Sequence, residues 1–319
     1  MGIWEQRCGR QSSATQRFKG IPGFASISSK ESNYEVAYNH VLYSGSFGKN
    51  IQEDFAKAVE QSYQQMHEAI WGRTVRIKAM AACRAIVRPF AGTGSDERGF
   101  VFTLNQDLLL ERFFSNSDVL ANLRIPGISN FPPSNSTLPT KHTDEYKKVD
   151  VPDNEKVQKL EADFWNDKAY GRFVYLKLHG SYWWKSADGS NAMVIGNEKT
   201  SLIKGEPYLS WSRRVFQNVL RGPGCNLFVI GYGFGDHHIN TVIAESIDKH
   251  QLRLYVVSPE PPEDFRNKLT RRTMEEAPAA AKIWPALHGY YYCRVTDLYS
   301  GANGDLTPRG KSFCANLVQ

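Results

Sequence analysis

The chain has 319 residues, of which 41% are hydrophobic and 23% charged, including 17 Phe, 15 Tyr and 7 Trp. That is more than one small core needs, so a single large α/β domain with insertions is expected in preference to two equal domains. The net charge of +6 is spread along the chain rather than gathered in a stripe, which favours an anionic ligand and argues against direct nucleic-acid binding.

Residues 1–30 are polar and glycine-containing, and their start (MGIWEQRCGRQSS) lacks the apolar core of a signal peptide. No apolar stretch approaches the ~20 residues that span a bilayer. A cytoplasmic protein with no membrane partner is expected. From Tyr34 to Arg88 the pattern is helical. Asn50-Ile51-Gln52-Glu53 offers a helix start, and Phe55, Ala58, Val59, Ser62, Tyr63 and Met66 recur at helical spacing. A second helix over Thr74–Val87 is stopped by Pro89 and the Gly92–Ser95 turn. Residues 31–90 therefore read as a helical insertion.

The strand Gly99–Leu104 follows, then a short helix over Leu108–Phe114. Residues 115–168 read as an irregular and helical insertion, rich in Pro, Ser and Asn and ending with the helix Glu155–Phe164. Next come the strand Phe173–Leu178 and a β-hairpin whose apolar arms flank Asp188-Gly189. A helix near Ser210–Leu220, the strand Leu227–Ile230, the helix His237–His250 and the strands Leu252–Val257 and Tyr290–Val295 complete the order. Between the last two, Arg266–Arg272 (RNKLTRR) reads as an exposed helix face. This alternation predicts an α/β fold: a Rossmann-like parallel sheet with helical and irregular insertions, one domain over residues 1–319.

Three strands end abruptly in polar or glycine-rich turns, and in parallel α/β sheets ligands bind at such carboxyl ends. The first delivers Asn105 and Asp107, which two residues apart in extended chain share one side. An Asn there can hold a hydroxyl or a water; equally, the pair can close a turn, with Asp107 as a helix N-cap. The second delivers His179, a partly solvated general base or a satisfied structural histidine, followed by Gly180, which permits close ligand approach. The third is Gly231-Tyr232-Gly233-Phe234-Gly235-Asp236, between strand and helix, where glycines admit ribose or phosphate and Asp236 can cap the helix. Its spacing is not the GxGxxG of the dinucleotide fingerprint.

Other motifs fail. Ser44–Asn50 (SGSFGKN) lacks phosphate-loop spacing, adjacent His237 and His238 diverge on a helix, and Trp183-Trp184 suits hairpin packing. No serine nucleophile elbow is present. Five cysteines (Cys8, Cys83, Cys225, Cys293, Cys314) are scattered without a CxxC pair, so neither a disulfide framework nor a zinc module is expected.

At these three segments the chain resembles the sirtuin-like (silent information regulator type) family, whose NAD site has the same order: a T-x-N-x-D strand end, an HG strand end and a glycine-rich strand–helix turn. More narrowly, TLNQD, KLHGS and GYGFGDHHIN are similar to the bacterial branch found in anti-phage defence systems. The resemblance covers roughly residues 99–260. It implies that Asn105 positions the nicotinamide ribose or the attacking water, that His179 is the base and that Asp107 helps to hold the nicotinamide. Gly231, Gly233 and Phe234 would line the ribose side, with Thr103, Tyr232, Gly235 and Asp236 among the cofactor-binding residues.

The chain departs from the family in two ways. A Gly-Ala-Gly-x-Ser phosphate loop should precede a GIP-type segment; Gly20–Phe24 (GIPGF) resembles that segment, but upstream only Gly9 and Ser12 remain. A late start of the chain and a lost loop are the two expectations. The paired zinc cysteines of protein-deacylating sirtuins are also missing, so no zinc is expected.

The resemblance implies an NAD glycohydrolase that releases nicotinamide and ADP-ribose, an effector that depletes NAD during infection. Such an enzyme is expected to be switched by a partner or by homo-oligomerisation, the partner being a hexameric DNA-translocase-type ATPase (HerA-like). An NAD-dependent protein deacylase and a non-catalytic NAD- or ADP-ribose-binding scaffold are the alternatives.

Overall fold

The computed structural model describes residues 34–71, 87, 90, 98–108, 110, 123–128, 148–166, 173–196, 198–275, 278–300 and 305–317. The helix expected over Thr74–Val87, the Gly20–Phe24 segment, Gly9, Ser12, Cys8, Cys83 and most of residues 111–147 lie outside them. The chain divides into two compact units, one of residues 8–76 and 90–212, the other of residues 1–7, 77–89 and 213–319.

The first unit begins with helices α1 (Tyr34–Tyr43) and α2 (Lys49–Trp71). Tyr38, Val41, Phe55 and Val59 pack together with Ile195, so the helical spacing read from Phe55 and Val59 marks a buried face. Burial pushes the Tyr38 hydroxyl up to about 12. Strands β1 (Gly99–Thr103), β2 (Leu123–Arg124) and β3 (Val149–Asp150) follow, then helix α3 (Asn154–Asp163). The Asp153 carboxylate accepts from the Lys156 amide at 3.0 Å and caps α3; that hydrogen bond holds its acid below the ordinary value. At the other end Phe164 is fully buried, stacked edge-on against Trp211 at 5.2 Å, and its carbonyl accepts from Arg98 at 2.6 Å.

Strand β4 (Phe173–Lys177) is the centre of a three-stranded sheet, flanked by β1 and β2, both parallel to it. All five of its residues are buried, the apolar Phe173–Leu176 as a covered parallel strand requires, and Lys177 with them. Strands β5 (Gly180–Lys185) and β6 (Asn191–Met193) form the expected antiparallel hairpin, with β3 parallel on the far side of β5. Asp188 Oδ1 accepts from the Ser190 amide at 2.8 Å in the turn. Helices α4 (Lys199–Gly205) and α5 (Pro207–Leu220) follow. Trp184 packs against Tyr208, and Tyr208 against Trp211, so the Trp pair serves packing. The Tyr208 hydroxyl, buried, donates to the Pro126 carbonyl at 2.7 Å.

The second unit is a parallel sheet of β7 (Asn226–Ile230), β8 (Arg253–Ser258) and β9 (Leu287–Tyr292), in that order. Helix α6 (His237–His250) links β7 to β8 and buries Ile239, Val242, Ile243 and Ser246 along one stripe. Helices α7 (Pro262–Glu275) and α8 (Pro278–Ile283) link β8 to β9. Arg266, Asn267, Thr270 and Arg271 of α7 are exposed, while Phe265 and Leu269 are buried. The ribbon β10 (Tyr299–Ser300) and β11 (Asp305–Leu306) and helix α9 (Pro308–Leu317) close the chain. Phe313 packs with Val257, Cys293, Leu298 and Tyr299.

Several boundaries shift from expectation by one to three residues, among them the start of α5 at Pro207 and both ends of the last long strand. The strand read over Tyr290–Val295 runs instead over Leu287–Tyr292, because Asp297 Oδ2 accepts from the Arg294 amide at 2.8 Å and opens a 3₁₀ turn there. Each unit contains a parallel sheet flanked by helices, and the fold is Rossmann-like α/β. Among the described residues no helix is long and apolar enough to cross a membrane.

Candidate functional site

In the first unit, parallel pairing aligns Thr103 with Lys177, so β1 and β4 end side by side. Beyond that pair the two chains stay stitched together. The Leu178 amide donates to the Thr103 carbonyl at 2.9 Å. Lys177 Nζ donates to the Asn105 carbonyl at 3.0 Å and also to the Asp107 carbonyl. The Gln106 carbonyl accepts from Ser181 Oγ at 2.9 Å and from the Tyr182 amide at 3.4 Å. Gln106 itself is buried, its amide bonded to the Val194 carbonyl and to the Tyr63 hydroxyl. Asn105 before it is exposed and Asp107 after it half-buried, the alternation of extended chain. Thr103 Oγ1 accepts from the Asn105 amide at 3.0 Å, a bond that shapes the turn.

His179 sits in the two-residue turn between β4 and β5 and is only 3% exposed, so of its two readings it lacks the partial solvation of the first. The hairpin explains the burial: the His179 carbonyl accepts from the Val194 amide at 2.9 Å, drawing the residues after β6 over it. Gly180 has a structural duty as well. Its φ is +67°, and a Cβ there would stand 1.8 Å from the Ala192 carbonyl oxygen. Thus Thr103, Asn105, Asp107 and His179 belong to two adjoining strand ends of one sheet.

The glycine-rich turn belongs to the second unit, between β7 and α6. Gly231 turns the chain at φ +69°, with open space where a Cβ would be. Phe234 has φ +52° and is fully buried, its ring 4.7 Å from that of Tyr232 and 5.6 Å from Phe265. The Tyr232 hydroxyl accepts from the Asp236 amide at 3.1 Å. Asp236 holds the N-cap position of α6, yet its side chain makes no capping hydrogen bond, so the capping reading of this carboxylate does not hold. Gly235 is exposed. Gly233 lies near Lys268, whose ammonium pairs with Glu260 at 3.3 Å beyond the end of β8. Within this unit the arrangement is strand, glycine turn, helix N-terminus, a form suited to an anionic ligand.

A family model described as the SIR2-like domain matches residues 99–278. The chain belongs to the SIR2-like family. Domains of this family are in general NAD-dependent enzymes that use NAD as substrate. No curated protein matches the sequence. The matched span of this SIR2-like chain contains all three strand-end motifs.

The sequence reading passed over the residues that hold the SIR2-like strand ends in shape. Lys177 is fully buried in an otherwise apolar strand, and Gln106, Ser181 and Asn240 are buried polar residues beside the motifs. The signal for Lys177 was present: a lone lysine inside FVYLKL is costly to bury without bonds to its ammonium. Of the rejected candidates, His237 is exposed and His238 buried, on diverging faces of α6. Cys225, Cys293 and Cys314 are free thiols, each pushed above its ordinary pKa by burial.

Proposed function

We propose that this SIR2-like protein is an NAD glycohydrolase. Water attacks C1′ of the nicotinamide ribose as the C1′–N bond breaks, nicotinamide leaves with the bonding pair, and the water's proton passes to a base. The products are nicotinamide, ADP-ribose and one proton. Departure of nicotinamide leaves an oxocarbenium-like centre, so catalysis rests on orienting the water and stabilising charge. Asn105 is assigned to orientation of the water or ribose and His179 to the proton, with Thr103 and Asp107 beside the nicotinamide. Gly231, Gly233 and Phe234 are assigned to the dinucleotide's ribose side, and Tyr232, Gly235 and Asp236 to cofactor binding.

The observation that carries this reading is the stitched pair of strand ends, which supports a water-orienting amide and an imidazole acting from one edge of one sheet. Hydrolysis is preferred to peptide deacylation because the five cysteines offer no paired zinc ligands for a peptide-clamping module. By its resemblance to the defence branch, the protein is proposed to deplete NAD during phage infection. Its proposed control is by homo-oligomerisation and by a hexameric HerA-like ATPase.

The test is incubation of the purified chain with NAD, alone and with a hexameric HerA-like ATPase, following nicotinamide and ADP-ribose by chromatography. Equal release of both, without any acyl peptide, is the expected result. Turnover that requires an acyl-lysine peptide points to deacylation, and binding without turnover to a scaffold.

A further inference from the structure

Lys177 is fully buried, two residues before His179. Its ammonium takes the carbonyls of Asn105 and Asp107, and it lies 5.4 Å from the centre of the Tyr175 ring. Ser181, two residues after His179, takes the carbonyl between them, that of Gln106. The segment carrying the imidazole therefore grips three successive carbonyls of the segment carrying Asn105. With those carbonyls held, and the Gln106 side chain anchored inward, the turn has little freedom to redirect the Asn105 side chain.

We infer that Lys177 is a positioning residue for NAD cleavage: it fixes the Asn105 turn against the His179 turn without touching substrate. This rests on the glycohydrolase reading above. A primary ammonium suits the task because one nitrogen donates in several directions, reaching two carbonyls of the same turn. Misplacing a water-orienting group by about 1 Å costs on the order of 10²-fold in rate, whereas substrate binding spread over many contacts changes little.

The experiment uses the full chain under the condition in which the wild type cleaves NAD. In Lys177→Met, kcat is expected to fall about 10²-fold, with the Kd for NAD near the wild-type value. Hydrogen exchange is expected to quicken by about tenfold in residues 103–108 while β7–β9 keep wild-type rates. A merely structural role would instead raise exchange throughout and weaken NAD binding with the rate.

Wild-type kcat in Lys177→Met overturns the inference while leaving the glycohydrolase reading intact. A wild type that never cleaves NAD overturns that reading, and the inference with it. If Lys177→Met fails to fold, Ser181→Ala carries the test, since it removes the Gln106 bond and, besides it, only a long one accepted from the Trp183 amide at 3.4 Å. A several-fold fall in kcat with quickened exchange in residues 103–108 supports the grip, and unchanged kcat and exchange overturn it.

Discussion

Asn240, one turn into α6, donates from its amide to the Phe234 carbonyl at 2.9 Å while its Oδ1 accepts from the Tyr232 hydroxyl at 2.9 Å. One buried side chain thus spans the glycine-rich turn and holds both of its aromatic residues from beneath. The helix dictates the loop.

Asn240→Leu keeps the volume but removes both bonds. It leaves the Phe234 carbonyl without its amide donor, while the Tyr232 hydroxyl keeps the Asp236 carbonyl at 3.2 Å, at a cost of about 1–3 kcal/mol in unfolding free energy. Denaturant unfolding of the variant should show that loss, and NAD should bind more weakly. Wild-type stability would mean that water replaces the amide.

Phe234→Gly sets two effects against each other. Glycine relieves a left-handed backbone that costs a non-glycine residue about 1–2 kcal/mol. It also deletes a fully buried ring, and large-to-small losses of this kind run to about 3–5 kcal/mol. The ring wins, so the variant is expected to be less stable by about 1–4 kcal/mol in the same assay.

His179→Ala and Asn105→Ala should each lower NAD cleavage by about 10²–10⁴-fold. Because Asn105 is exposed and His179 buried, only His179→Ala should also lower the melting temperature. Turnover and melting measured on the same preparations separate the two. Near-wild-type cleavage by His179→Ala would reject the imidazole as the base.

Gly180→Ala combines a positive φ with a Cβ 1.8 Å from a backbone oxygen that has no flexible end to give way. The hairpin must open, at a cost of at least about 2 kcal/mol. Soluble yield and denaturant midpoint should both fall, whereas Gly189→Ala, whose φ is also positive at +87° but whose Cβ would meet only Lys185 Cε at 3.9 Å, should disturb less.

The alkaline limb of stability should carry the mark of buried phenols. Burial raises the Tyr38 hydroxyl to about 12 and raises Tyr208 as well, so both are neutral when folded at a pH where the unfolded chain would ionise them. A raised folded pKa gives stability that is present below the unfolded value near 10 and is lost as pH climbs through the folded one. Unfolding above pH ~10 should coincide with tyrosinate absorbance. Tyr208→Phe should shift that limb upward while losing about 1 kcal/mol at neutral pH for the orphaned Pro126 carbonyl.

Much of the α/β order was legible because its signals are local. FVYL is apolar without a break before Lys177, and the spacing of Ile239, Val242, Ile243 and Ser246 in α6 announces one buried stripe. The motifs at 103–107, 177–181 and 231–236 were legible for the same reason: polar and glycine residues interrupt apolar runs. What escaped depends on partners distant in sequence. The burial of His179 is imposed by Ala192 and Val194, and the duty of Lys177 by Asn105 and Asp107, some seventy residues earlier. Nor does strand periodicity reveal that β1 and β4 share one sheet while β7 begins another.

The Thr103–Lys177 pairing also sets a timetable for synthesis, since its partners lie seventy-four residues apart. At about 5–20 residues per second, a ribosome holds finished β1 for roughly 4–15 s before the whole of β4 has been made. Through that interval the Asn105 carbonyl lacks the Lys177 ammonium and the Gln106 carbonyl lacks the Ser181 hydroxyl. The segment therefore waits as unpaired edge, exposed to chaperones, until translation has passed β4.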